Sequence, residues 1–223
     1  MRLVNVEYGI RLDLLENITQ VLYVESSVAF RKITEALWNQ EEGRDGSWML
    51  SEDDKTLSIM KKLNIILNPF SIDCNNRKII NCIYSQLSSM ATEESMAETA
   101  ELNGKIISYL ESLLQKLSYN LIMKLELDLP SLLKIYDVKV NQEEVELLER
   151  LINYINAMHS ICGYCIFVFV GIKQYLSEDE LRKLYEYAFY NKIYLVLIES
   201  LYREALQNEK TIILDKDLCF IEP

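Results

Sequence analysis

The chain has 223 residues, half of them hydrophobic, 26% charged and 10% aromatic; that is apolar enough for a packed core and excludes a disordered polypeptide. Its net charge of −11 argues against general affinity for nucleic acid, because phosphate contact needs local positive potential, although a basic patch can still sit inside an acidic whole. Only 6 glycines and 3 prolines disfavour long irregular stretches, and the length fits one large domain or one domain with a substantial insertion.

From the N-terminus, Leu3, Val4 and Val6 lead to Tyr8-Gly9, and Ile10, Leu12 and Leu14 alternate with polar residues. Both segments predict short strands. Ile18 to Val24 is strongly apolar and β-branched and predicts a central strand. Ser26-Ser27 can cap the helix that follows, whose apolar positions are Val28, Phe30, Ile33, Ala36 and Leu37 and which should end near Glu42-Gly43. The cluster Gly-Arg-Asp-Gly-Ser at 43–47 predicts a turn, and Trp48-Met49-Leu50 a short edge strand. Leu63 to Leu67 is another apolar run, stopped by Asn68-Pro69.

The pattern changes between Asn75 and Asn120. Ile79, Ile80, Ile83, Tyr84, Leu87 and Met90 mark one helix; Ile106, Leu110, Leu113, Leu117 and Leu121 mark a second. The narrow stripe of the second is that of paired helices, and a turn near Ala91-Thr92 would make a hairpin projecting from the sheet domain. Glu143 to Ala157 is helical again. Cys165 to Val170 predicts a fully buried strand, Ser177 with Glu180 a capping box, Lys192 to Ile198 a further buried strand and Thr211 to Leu214 the last one. Strands alternating with helices at both ends predict a parallel or mixed sheet covered by helices.

Five dispersed cysteines do not form a secreted disulfide framework, the charged N-terminal stretch does not resemble a signal peptide, and no apolar run approaches the ~18–20 residues a membrane span needs. The expected localisation is cytoplasmic, with no membrane partner.

Chemistry is sparse. A nucleotide site in an α/β protein usually follows its first strand with a glycine-rich turn, but Val24-Glu25-Ser26-Ser27 has neither glycine nor lysine, and Glu25 would repel phosphate. The strand Cys165 to Val170 ends in Gly171, not in a magnesium-binding acid. His159, Cys162 and Cys165 have the spacing of three zinc ligands where structural zinc takes four; two thiols entering a core strand is the better account. One histidine and no nucleophile motif leave hydrolase chemistry without support, so no catalytic residue and no enzyme activity are expected. Basic residues are more suggestive. Lys61-Lys62 and Arg77-Lys78 flank the boundary between sheet and helical insertion, Arg31-Lys32 lies on the first helix, and Lys105, Lys116 and Lys124 are placed on the long helix. Singly they are solvated surface; together they form a candidate phosphate-contacting set.

Several segments taken in order carry a resemblance: VLYVESSVAFRKITEALWNQEEGRDGSWMLSED, LNPFSIDCNNRKIINCIYSQL, CIFVFVGIKQYLSEDELRKLYEYAFYNKIYLVLIES and the terminal TIILDKDLCFIEP. The chain resembles the ring-forming, double-stranded-DNA-binding adaptation proteins of type II-A CRISPR systems. The resemblance implies an α/β head domain with a mixed sheet, P-loop-NTPase-like but lacking the nucleotide site, over residues 1–74 and 138–223, with an inserted helical leg domain over 75–137. It also implies a homotetrameric ring whose lysine-bearing channel takes duplex DNA ends without sequence specificity. The implied role is spacer acquisition, with the CRISPR integrase proteins and the RNA-guided effector nuclease as partners. The alternative is a protein-only scaffold linking those partners.

The DNA-contacting candidates are Lys61, Lys62, Arg77, Lys78, Lys105, Lys116 and Lys124. In the family, the stretch where the long helix returns to the head is acid-rich and binds calcium. Between Ser118 and Asp128 this chain keeps only Glu126 and Asp128 as acids, with Lys124 among them. Calcium takes six to eight oxygens, so the family's calcium site is expected to be degraded and no cofactor is assigned with certainty.

Overall fold

The β-branched run after Asn17 becomes β3 (Thr19–Val24), buried at all six residues. In the computed structural model, which describes residues 1–53, 55–141 and 145–221, the chain divides into two compact units. One comprises Met1–Asp73 with Glu143–Pro223; the other is Cys74–Gln142.

In the first unit, β3 pairs in parallel with β8 (Tyr194–Glu199) on one side and β9 (Glu209–Leu214) on the other. Beyond β8 lie β7 (Ile166–Val170) and β6 (Leu63–Ile66), also parallel, and β10 (Phe220–Ile221) closes the far edge antiparallel to β9. The sheet order is therefore β10-β9-β3-β8-β7-β6, a mixed sheet with a parallel centre. A second sheet, of order β2-β1-β4-β5, is wholly antiparallel and comprises β1 (Arg2–Asn5), β2 (Ile10–Asp13), β4 (Trp48–Glu52) and β5 (Lys55–Leu57).

Alternation divides the large sheet into two faces. Leu22, Val24, Leu63, Ile65, Val168, Val196 and Ile198 join α1 (Ser27–Glu41) and the small sheet in one core. The residues between them, such as Tyr23, Phe167, Phe169, Leu195 and Leu197, are equally buried, on the side where α7 (Glu178–Tyr190) packs on β8 and α6 (Leu147–Ser160) packs on α7.

Local chemistry explains the element ends. Ser26 caps α1 by accepting from Ala29 N, and Ser177 and Glu180 complete the capping box of α7. Gln40 grips Trp48 through both amide atoms, donating to its carbonyl at 2.8 Å and accepting from its N–H at 2.8 Å. Gly46 passes so close to this grip that a Cβ there would lie 2.7 Å from the Ala36 carbonyl, so no larger residue fits. At the open edge of the large sheet, buried Glu41 accepts from Asn64 Nδ2 at 2.7 Å and from Ile65 N at 3.1 Å, supplying an acceptor where no further strand does.

The second unit is helical: α3 (Arg77–Glu93), α4 (Met96–Leu114) and α5 (Leu129–Ile135), with α3 contacting both of the others. Asn75 ties its two ends together, donating to the Val140 carbonyl at 3.0 Å and accepting from Val140 N at 2.8 Å.

Several sequence expectations are corrected. Trp48-Met49-Leu50 is not an edge strand, because β5, a three-residue segment too short to register by alternation, pairs outside it. The helical link falls at Glu94-Ser95, not at Ala91-Thr92. The second helix stops at Leu114, so Leu117, Leu121, Lys116 and Lys124 lie beyond it. Residues 115–128 form a long irregular stretch despite the scarcity of glycine and proline. Ser118-Tyr119-Asn120 are poor helix formers and interrupt the helix, although the four-residue spacing of Leu113, Leu117, Leu121 and Leu125 runs on through them. Helix α6 starts at Leu147; of the expected earlier start, Glu143 and Glu144 lie outside the described residues. Lys192 is not in a strand but turns into β8 with φ 56°, and β10 follows the strand expected to be last.

Candidate nucleic-acid interface

The basic candidates divide between the two units. Lys61 and Lys62 end α2 (Ile59–Lys62), both exposed, and the Lys62 carbonyl accepts from Cys165 N at 3.1 Å, which fixes this short turn against β7. In the helical unit, Arg77 and Lys78 open α3 behind the Asn76 cap; Arg77 is exposed and Lys78 half-buried. Lys105 is exposed in the middle of α4 and pairs with Glu101 one turn earlier. Lys116 follows the last turn of α4, and Lys124 lies in the irregular return stretch; both are exposed. Asn103 donates to the Leu125 carbonyl at 3.0 Å, which lays the return stretch beside α4.

Charge is unequally shared. Residues 74–142 hold seven basic and eight acidic side chains; the rest of the chain holds sixteen and twenty-six. The α/β unit thus carries nearly all the negative excess, and the helical unit is close to neutral.

Helix α4 has nineteen residues and none is buried. The stripe expected from its spacing is exposed at Leu110, Leu113 and Leu117, and the neighbouring return stretch presents Tyr119 at 79% and Ile122 at 95% exposure. Ile135 and Tyr136 at the end of α5 are also exposed. The helical unit thus leaves several large apolar side chains uncovered.

Asp128 precedes α5 and accepts from Ser131 Oγ, Glu126 is exposed in the return stretch, and two carboxylates fall well short of the six to eight oxygens calcium takes. Among the described residues, no group of three or more His, Cys, Asp or Glu side chains is placed to hold a metal ion. His159 is engaged locally, with Nδ1 facing the Tyr164 carbonyl at 2.6 Å. Burial pushes the Cys165 thiol above the ordinary cysteine value, which makes it a poor ligand and nucleophile.

The carboxyl end of β3 is the place where the order of the parallel strands reverses, and such reversal points host ligand crevices in open α/β sheets. Here the link to α1 is only Glu25 and Ser26. Ser26 Oγ already accepts from Ala29 N, its carbonyl accepts from Phe30 N, and Glu25 is exposed.

A second polar constellation escaped sequence reasoning. Lys173, in the 3-10 turn Ile172–Gln174 after β7, is buried. Its ammonium donates to Glu209 Oε2 at 2.8 Å and to Tyr23 Oη at 3.1 Å. Tyr185 donates to Glu209 Oε1 at 2.6 Å, and Lys173 N donates to Glu199 Oε1 at 3.0 Å. Burial pulls the Lys173 ammonium down, but its bonds to Glu209 and Tyr23 outweigh that and hold it above the ordinary lysine value. Burial lifts the Glu199 carboxyl to about 7, against the opposing bond from Lys173 N. The available signal was an acid ending an otherwise apolar strand, Tyr194 to Glu199.

The arrangement is that of an α/β sheet protein carrying within its sequence a helical unit whose apolar side chains are largely exposed. The chain belongs to the family of the CRISPR-associated protein Cas_Csn2, which it matches over residues 40–218. No curated protein matches it. Among solved structures it is similar to a metal-chelate type ABC transporter in an inward-facing conformation, at 10% identity and a TM-score of 0.44, over 96% of this chain and 75% of that one. It is also similar to a nucleotide-free ATP-binding cassette from an ABC transporter, at 10% identity and a TM-score of 0.45, over 94% of this chain and 86% of that one. Likenesses this distant carry no argument about activity. Among the described residues, no helix is long and apolar enough to cross a membrane.

Proposed function

We propose that this CRISPR-associated protein acts in spacer acquisition of a type II-A system as a homotetrameric ring that binds double-stranded DNA ends in a central channel without sequence specificity. On this reading it is not an enzyme, its head is P-loop-like without a nucleotide site, and it works in the cytoplasm beside the CRISPR integrase proteins and the RNA-guided effector nuclease. Family membership supports the pathway. The observation that carries the assembly is α4, a nineteen-residue helix with an apolar stripe and no buried residue, a surface that neighbouring subunits would cover. The near-neutral helical unit supports DNA binding there, since phosphates meet least repulsion from it. The glycine-free Glu25-Ser26 link supports the absence of nucleotide binding, and the two-carboxylate set of Glu126 and Asp128 supports weak or absent calcium dependence.

The experiment combines native mass with binding to DNA of defined topology. Four subunits per particle, tight binding to linear duplex and poor binding to closed circles of equal length are expected. A monomer at micromolar concentration refutes the ring. Equal binding of circles and linear fragments refutes threading, and no DNA binding at all leaves the protein-only scaffold as the reading.

A further inference from the structure

The cluster around Lys173 touches more than the sheet. Between β8 and β9 runs an exposed segment without regular structure, residues 200–208. Two of its backbone groups are held by side chains of the cluster. Tyr23 Oη donates to the Arg203 carbonyl at 3.1 Å, and Leu206 N donates to Glu209 Oε2 at 3.0 Å. The Tyr202 ring rests 5.1 Å from the Tyr23 ring, centroid to centroid. The same two side chains, Tyr23 and Glu209, are the acceptors of the Lys173 ammonium. The ion pair is sealed, with side-chain exposure of 2% at Lys173 and 0% at Glu209. Glu199 sits where the segment departs, in register with Tyr23 across the β3–β8 pairing, and is itself buried.

We propose that residues 200–208 form a strap latched to the sheet by the buried Lys173–Glu209–Tyr23 cluster, and that the protonation of Glu199 sets how firmly it is held. The neutral carboxyl fits the latched state, in which the buried cluster holds one cation and one anion. Ionised Glu199 adds a second buried anion beside that pair, and the cost is relieved when the strap lifts and water reaches the carboxylate. The titratable and charged groups acting on Glu199 come from every neighbouring element: Lys173 from the turn after β7, Tyr23 from β3, Glu209 from β9, Tyr185 from α7 and Arg203 from the strap itself. Lys173 and Arg203 favour the ionised form and Glu209 opposes it, but burial is the largest influence.

The test is hydrogen–deuterium exchange of the full chain, read at Leu206 N and its neighbours from pH 5.5 to 8.5 and corrected for intrinsic exchange. With a carboxyl near 7 when latched and near the ordinary 4.5 when open, strap protection falls by up to about thirtyfold across that range. Glu199→Gln, neutral at every pH, holds the low-pH protection throughout. Tyr23→Phe, which removes the bond to Arg203 along with that from Lys173, lowers strap protection roughly fivefold more than it lowers that of β8 amides, at every pH. The proposal is overturned by wild-type strap protection that is flat with pH or by a Glu199→Gln variant that keeps the wild-type slope. Strap protection unchanged in Tyr23→Phe overturns the latch itself.

Discussion

Replacing Lys173 with methionine keeps the volume of the side chain and removes its charge. Glu209 then remains as a fully buried carboxylate without a cation. Breaking one side of a buried pair costs about 3–5 kcal/mol, most of it the desolvation of the stranded partner. Two bonds survive on Glu209, from Tyr185 Oη at 2.6 Å and Leu206 N at 3.0 Å, and they place the expected loss near the low end, about 3 kcal/mol. Against a total stability on the order of 5–15 kcal/mol that is a large fraction. With a urea slope of about 2–3 kcal/mol/M, the unfolding midpoint should drop by roughly 1 M. The double variant Lys173→Met with Glu209→Gln removes the stranded charge and should recover most of the loss, so the two substitutions will be strongly non-additive. A midpoint shift below about 0.3 M for the single variant, or a double variant as weak as the sum of the singles, would refute the view that the charge pair organises this side of the sheet.

Glu41→Ala strands Asn64 Nδ2 and Ile65 N at the sheet edge; at about 1–3 kcal/mol per missing partner, calorimetry should show a melting point lower by roughly 5–10 °C. Because burial raises Glu199 to about 7, its neutral form favours the folded state: that contribution is complete below the ordinary 4.5 and is lost as pH rises through 7. Urea unfolding should show wild type weakening by up to about 3 kcal/mol over that window, a loss absent from Glu199→Gln. Reversing the charge of Lys61, Lys62, Arg77 and Lys78 together should weaken DNA binding for all sequences alike and flatten the log-affinity against log-salt slope by about 0.9 for each phosphate no longer neutralised; an unchanged slope would exclude those four.

Sequence reasoning worked where one local rule dominates. Ser26, Ser177 and Glu180 cap helices as their spacing indicated, because a cap depends on residues within one turn. The runs that became β3, β7 and β8 were legible because strands buried on both faces need nearly continuous apolar sequence. It failed where a partner far along the chain decides. Trp48 could be read as a strand residue, but only the pairing of β5 outside β4 makes that strand internal. The four-residue apolar spacing of Leu113, Leu117, Leu121 and Leu125 suggested more helix, while the poor helix formers Ser118-Tyr119-Asn120 lie in the middle of that run. Lys173 and Glu209 are 36 residues apart, and nothing local to either marks it as half of a buried pair. The basic candidates were found as residue types, but the sequence did not distinguish Lys105, already paired with Glu101, from Arg77 at the exposed start of α3.

The distribution of charge bears on which of those lysines a DNA backbone would use. Lys61 and Lys62 belong to a unit with sixteen basic and twenty-six acidic side chains; Arg77, Lys78, Lys105, Lys116 and Lys124 belong to one with seven and eight. Exposed charges more than about 8–10 Å apart are largely screened at physiological salt, so Lys61 and Lys62 feel the acidic excess of their own unit. The pairing of Lys105 with Glu101 is no obstacle, since both side chains are more than two-thirds exposed and an exposed pair contributes little; a phosphate can replace Glu101 at small cost. On the proposed DNA-binding reading, a duplex meets the weaker repulsion at the near-neutral helical unit. The same unit carries the uncovered apolar stripe of α4. If the proposed ring forms, its near-neutral charge and its apolar surface together make this unit the one suited to both the subunit contact and the DNA.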